Sequence, residues 1–155
     1  MGAKRLMQYQ QEFLATAYDD IQELLQLHWQ EIALNKDVIK LNPDWEQYEA
    51  AEKAGALRGF TARENGKLVG YFVVLVSRSM HYKDHLFATN DVIFLHPDHR
   101  KGFAGVRLIK FAADCLRSDG VSMLFINTKV HRPFGPVLER LGFNHVESVF
   151  SKRLI

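Results

Sequence analysis

Apolar positions recur along this chain at two different periods. Ala17, Ile21, Leu24, Leu25, His28 and Ile32 fall at three- and four-residue steps, the spacing of one face of a helix. Thr16-Ala17-Tyr18-Asp19 supplies a Thr-x-x-acid start for it. Asn42-Pro43-Asp44 predicts a second helix, with asparagine as cap and proline at the first helical position, and Gly55 closes it. Leu57–Arg63 and Leu68–Val76 then read as strands, joined by the hairpin signal Asn65-Gly66. Leu86–Leu95 is a further strand. Val106–Arg117 is a helix with Leu108, Ile109, Ala112, Cys115 and Leu116 inward. After Gly120 come a strand at Val121–Thr128, a short helix at Phe134–Leu141 stopped by Gly142, and an extended piece at Phe143–Leu154. A weak alternation of Met7, Tyr9 and Phe13 adds a first strand. The order β-α-α-β-β-β-α-β-α-β predicts an α/β (α+β) domain: a mixed, mostly antiparallel sheet flanked by about four helices.

Composition narrows this picture. The 155 residues carry no internal repeat or low-complexity linker, so residues 1–155 are read as one domain. Cys115 is the sole cysteine, which excludes an intramolecular disulfide and a multi-cysteine zinc site. Its place on the inner side of a helix suits a small core residue better than an acyl-carrying nucleophile. No apolar run nears the ~20 residues that span a bilayer, and the first residues lack the apolar core of a signal peptide. A cytoplasmic protein with no membrane partner is expected. His81-x-x-x-His85 and His96-x-x-His99 sit in strand or loop, where such spacings do not converge two imidazoles, so no metal is expected.

The net charge of +2 conceals an asymmetry. Residues 1–60 hold six basic and ten acidic groups, whereas residues 61–155 hold fourteen and eight. Arg100, Lys101, Arg107 and Lys110 crowd one stretch of the basic part, but no aromatics interleave them to stack on bases, and no nucleic-acid partner is expected.

That stretch carries the chemistry. At Pro97-Asp98-His99-Arg100-Lys101-Gly102-Phe103-Ala104-Gly105-Val106 a strand stops and a basic, glycine-containing turn feeds a helix. The first amides of a helix have no partner inside it, and with the dipole they form a site for phosphate oxygens. There is no Gly-Lys-Ser/Thr and no Gly-x-Gly-x-x-Gly, so neither a Walker loop nor a dinucleotide fingerprint is present.

The segment resembles the acetyl-CoA loop of the GNAT superfamily of N-acyltransferases, a strand followed by Pro-x-x-Arg-x-x-Gly-x-Gly/Ala and a helix. Pro97, Arg100 and Gly105 match; Phe103 stands at the first glycine, with Gly102 one place earlier. Leu141-Gly142-Phe143 and the element order extend the resemblance from about Thr16 onward, and His81-Tyr82 with Asn90-Asp91 is similar to compact bacteriophage-encoded members.

The resemblance implies a GNAT fold and transfer of an acetyl group from acetyl-CoA to an amine-bearing small molecule or protein. Pantetheine would lie along Phe94 and Leu95, and the pyrophosphate would meet Arg100, Lys101, Gly102, Phe103, Ala104, Gly105 and Val106. Asp91 is the first candidate for the base; two and four residues before Ile93 and Leu95, it is expected on their face of the strand. A bond from Asp91 to the hairpin backbone is the alternative. The family often places a tyrosine where this chain has Leu138, which leaves His131 or solvent to protonate the thiolate. His28, Trp29, Glu31, Asn90 and His81 are candidates for the acceptor pocket, with Trp45 and Tyr48 behind them; both tryptophans are equally consistent with helix–sheet packing. The missing tyrosine and Phe103 keep a second reading open, an acyl-CoA-binding protein that acts through a protein partner without catalysis. The oligomeric state, a homodimer included, is open.

Overall fold

A computed structural model describes residues 6–155; residues 1–5, the start read for targeting signals, lie outside the described residues. The elements are β1 Met7–Gln11, α1 Leu14–Ile32, α2 Trp45–Lys53, β2 Leu57–Glu64, β3 Lys67–Arg78, β4 Leu86–Leu95, α3 Ala104–Ser118, β5 Val121–Phe125 and α4 Gly135–Arg140. One sheet runs in the order β1-β2-β3-β4-β5. The first four strands are antiparallel, and β5 pairs with β4 in parallel. No helix among the described residues is long and apolar enough to cross a membrane.

Both faces of the sheet are covered, which is why the β3 run is apolar on both sides rather than alternating. Phe60, Phe72, Val74 and Ala88 pack with Leu108, Ala112 and Leu116 of α3 on one face. Leu14, Ile21 and Leu24 of α1 pack with Tyr71, Val73 and Phe94 on the other. At the hairpin, Asn65 and Gly66 have φ of 50° and 85°, the left-handed pair a two-residue turn needs.

Three helix starts differ from expectation. The first helix begins at Leu14, not after Thr16, whose hydroxyl bonds back to the Phe13 carbonyl. Its leading amide is capped from a distance instead: Leu14 N–H donates to the buried Glu52 carboxylate of α2 at 2.8 Å. The cap of α2 is Asp44, accepting from the Gln47 amide at 3.0 Å, rather than Asn42. α3 starts at Ala104, two residues early.

The extended piece at Phe143–Leu154 forms no strand. Its adjacent apolar pairs, Val149-Phe150 and Leu154-Ile155, leave no single apolar face to lay on a sheet. Phe150 is 92% exposed, and Arg153 instead reaches Asp37 at 3.4 Å.

Phe72 is fully buried at the centre of the α3 face. Phe72→Ala should therefore cost about 3–5 kcal/mol in urea unfolding, whereas Phe150→Ala should stay within about 0.5 kcal/mol of the parent.

Candidate active site

The site is built where two neighbouring strands part. β5 pairs with β4 only opposite Leu86–Thr89, while β4 runs on to Leu95. At the fork the Asn90 side chain imitates a strand, accepting the Asn127 amide at 2.7 Å and donating to the Asn127 carbonyl at 3.4 Å. Beyond it the β5 side of β4 is open. The His96 amide bonds across to Val69 at 2.7 Å. By alternation, the N–H and C=O groups of Ile93 and Leu95 point to the open side.

One residue in β4 has no partner in β3. Val73 pairs with Val92 and Val74 with Asn90, so Asp91 is the extra residue of a bulge. The bulge overturns the expected shared face. Ile93 and Leu95 pack on the α3 side, whereas Asp91 turns toward α2 and accepts a hydrogen bond from the Tyr48 hydroxyl. Burial and the adjoining carboxylate both hold the Tyr48 phenol well above its ordinary pKa, which keeps it a donor.

Behind Tyr48 lies a cavity of about 340 Å³, walled by α1, the α1–α2 connection, α2 and the middle of β3 and β4. Trp29, Trp45, Tyr48 and Tyr71 supply its aromatic lining, with Val73 and Val92 at the sheet. His28 lies beneath, stacked on Phe94 at 4.7 Å between centroids, with Nδ1 2.7 Å from the Tyr71 hydroxyl. Burial pushes the His28 pKa down to about 4, so its imidazole is neutral at pH 7.

Past the end of β4, Pro97–His99 form a short 3₁₀ turn and α3 follows. Among the described residues, the amides of Lys101 to Val106 have no backbone acceptor, and Arg107 is the first to bond, to the Phe103 carbonyl at 2.8 Å. Six free donors in succession at the start of a fifteen-residue helix are a candidate anion cradle.

The Acetyltransferase (GNAT) family model matches residues 18–143. The chain belongs to this family. As a GNAT acetyltransferase it is an acyltransferase enzyme, and its mixed five-stranded sheet with four helices is the family's fold. It is similar to the ribosomal-protein-alanine N-acetyltransferase of Brucella melitensis biovar Abortus 2308, at TM-score 0.71 and 23% identity over 96% of this chain and 99% of that one. It is also similar to an aminoglycoside acetyltransferase from an uncultured soil metagenomic sample, solved with sisomicin, at TM-score 0.73 and 14% identity over 96% and 97%. A third likeness is to a Clostridium acetobutylicum acetyltransferase with acetyl-CoA, at TM-score 0.68 and 13% identity over 96% and 97%. No curated protein matches in sequence.

Several residues proposed for this GNAT site stand elsewhere. Arg100 is engaged with protein: its guanidinium grips Glu31 through two bonds of 2.7 Å, its Nε donates to the Leu95 carbonyl at 2.8 Å, and its amide bonds to Pro97. Hydrogen bonds from Arg100 hold the Glu31 carboxyl below its usual pKa, and Arg132 lies 3.8 Å away. Glu31 is therefore a partner of Arg100 and does not line the cavity. Nor does Asn90, which is spent on Asn127. His81, in the β3–β4 loop, contacts Tyr82 and lies outside the cavity wall. His28 is a layer below the wall rather than in it, whereas Trp29 and Trp45 do line the cavity. Lys101, Gly102 and Phe103 are exposed at the cradle, and His131 is exposed in the turn closed by the Lys129–Arg132 bridge. Tyr71 went unremarked in the sequence, although a phenol inside a fully buried strand run signals a needed partner.

The low His28 pKa makes stability depend on pH. The imidazole is neutral in both states above about pH 6.5; as pH falls from 6.5 toward 4 only the unfolded chain takes up the proton. The parent should lose up to about 3 kcal/mol more than His28→Phe over that window in urea unfolding.

Proposed function

We propose that this GNAT acetyltransferase moves an acetyl group from acetyl-CoA to a primary amine, with Asp91 as the base. The observation that carries the reading is the bulge. It sets a carboxylate, held by Tyr48, between an aromatic cavity and the open edge of β4.

The residues present fit the donor. The amides of Lys101 to Val106 and the Lys101 ammonium would hold its phosphates, and the outward groups of Ile93 with the Leu95 amide would pair with its amide-bearing arm, the Leu95 carbonyl being held by Arg100. Arg100 supports that edge from Glu31 rather than gripping phosphate. Acetyl-CoA supplies the thioester: the nitrogen–carbon bond forms as the carbon–sulfur bond breaks.

An ammonium has no lone pair, so Asp91 first accepts a proton, directly or through one water. Tyr48 cannot take that role; it is a phenol kept protonated beside a carboxylate, and it positions Asp91. The outward amides of β4 are the donors at hand for the oxyanion. Leu138 is buried where the family often has tyrosine, so His131 is assigned the return of a proton to the sulfur. The acceptor pocket is the cavity behind Tyr48.

Asp91→Asn should lower kcat about 100-fold or more, and His131→Ala about tenfold, both with an unchanged acetyl-CoA Kd. Thiol release with a panel of amines, beside calorimetry, checks this; full turnover in Asp91→Asn removes the carboxylate from the mechanism. Acetyl-CoA binding with no turnover on any amine favours the non-catalytic reading.

Gly105→Glu places a carboxylate in the helix's first turn, and its Cβ meets only Leu95 at 3.6 Å, so the fold tolerates it. Acetyl-CoA affinity should drop roughly tenfold or more. Unchanged affinity would put the pyrophosphate elsewhere.

A further inference from the structure

The chemistry of the cavity wall narrows the acceptor, on the premise that this cavity is the acceptor pocket. Three of the polar side chains in its lining are already engaged, and Asn42 is the amide left among them. The Tyr48 hydroxyl serves Asp91, and the Tyr71 hydroxyl lies 2.7 Å from His28 Nδ1. The Lys40 ammonium donates to the Lys36 carbonyl at 2.6 Å. Most of the remaining lining is ring and hydrocarbon, Trp29, Trp45, Ile21, Leu25, Val73 and Val92 among it. An acceptor covered in hydroxyls would surrender its hydration there and recover few hydrogen bonds.

Charge points the same way. No carboxylate lines the cavity. Glu31, at the end of α1, is tied up by Arg100. Lys40 is the one charged residue of the lining, and outside the lining the Lys36 ammonium sits 5.7 Å from the Trp29 ring centroid, so the charge near this wall is cationic. A second or third ammonium on the acceptor would meet like charge. One cation alone is welcome, at Asp91, which adjoins Val92 and bonds to Tyr48 at the cavity's edge.

We infer that the acceptor is a monoamine on a compact apolar body, an arylalkylamine or alkylamine, with its nitrogen at Asp91 and its body among the tryptophans. Polycationic aminoglycosides and free amino sugars do not suit this wall.

The chain's two tryptophans both line the cavity, so intrinsic fluorescence reports its occupancy independently of turnover. The experiment compares phenethylamine, glucosamine and kanamycin in two measurements, thiol release from acetyl-CoA and tryptophan emission. Phenethylamine should show a kcat/KM at least tenfold above either sugar amine and should change the emission. Ala33→Phe, which projects a ring into the cavity from the end of α1, should weaken phenethylamine at least tenfold by both readouts while leaving the acetyl-CoA Kd unchanged. A thermal melt verifies its folding; if Ala33→Phe unfolds, Leu25→Phe replaces it.

Preference for kanamycin or glucosamine, with no emission change from phenethylamine, overturns the apolar assignment and leaves acetyl transfer standing. An emission change lost in the filled cavity, with no amine acetylated, keeps the apolar site and removes the transfer reading. Neither signal overturns both.

Discussion

The extra residue at Asp91 governs how β4 works. Up to Asn90 the strand follows the register that places Ala88 against α3; after the bulge, Val92 and Phe94 face α1 and α2 while Ile93 and Leu95 take the α3 side. In the register set by Ala88, a regular strand would have carried Ile93 and Leu95 to the α1 and α2 side with Asp91, and Val92 and Phe94 to α3; the bulge exchanges those later residues and leaves Asp91 apart from Ile93 and Leu95. With the bulge, the same residue meets Tyr48 and borders the cavity. The bulge adjoins the fork at which β5 leaves, and a bulge locally bends a strand and increases its twist. Asn90 ties the fork together with its side chain, so the open edge begins at a defined residue.

The Arg100–Glu31 pair is the second organising contact. The pair is part-exposed and bonded through both terminal guanidinium nitrogens, a geometry that contributes more than a lone surface pair. Its importance is positional. It joins the end of α1 to the loop after β4, and the same guanidinium holds the last carbonyl of the strand. The two charges are cancelled against each other. The amides of the α3 start are thereby the free donors in the proposed phosphate site, and no carboxylate stands in the cavity wall.

Much of the fold was legible locally. The bounds of β4 followed from its apolar run between a charged loop and Pro97. The hairpin followed from Asn65-Gly66, because few residue pairs adopt two successive left-handed conformations without strain. The glycine-bearing turn ahead of α3 announced an anion site because the unpaired amides of a helix start belong to every helix. What went astray was non-local. The α1 cap comes from Glu52, 38 residues away, and nothing beside Leu14 encodes it. The tail at Phe143–Leu154 has extended character but finds no strand partner, and pairing is a property of two segments.

The sequence by itself determined the order of helices and strands as far as α4, the placement of the basic glycine-bearing loop ahead of α3 and the presence of a carboxylate in β4, since periodicity, turn chemistry and helix termini act over a few residues. Only the tertiary structure decided which way Asp91 points, that Arg100 answers Glu31, and that two tryptophans far from each other's neighbours in sequence wall one cavity. Those outcomes depend on strand register and on contacts between residues tens of positions apart, where a single extra residue exchanges one face of the sheet for the other.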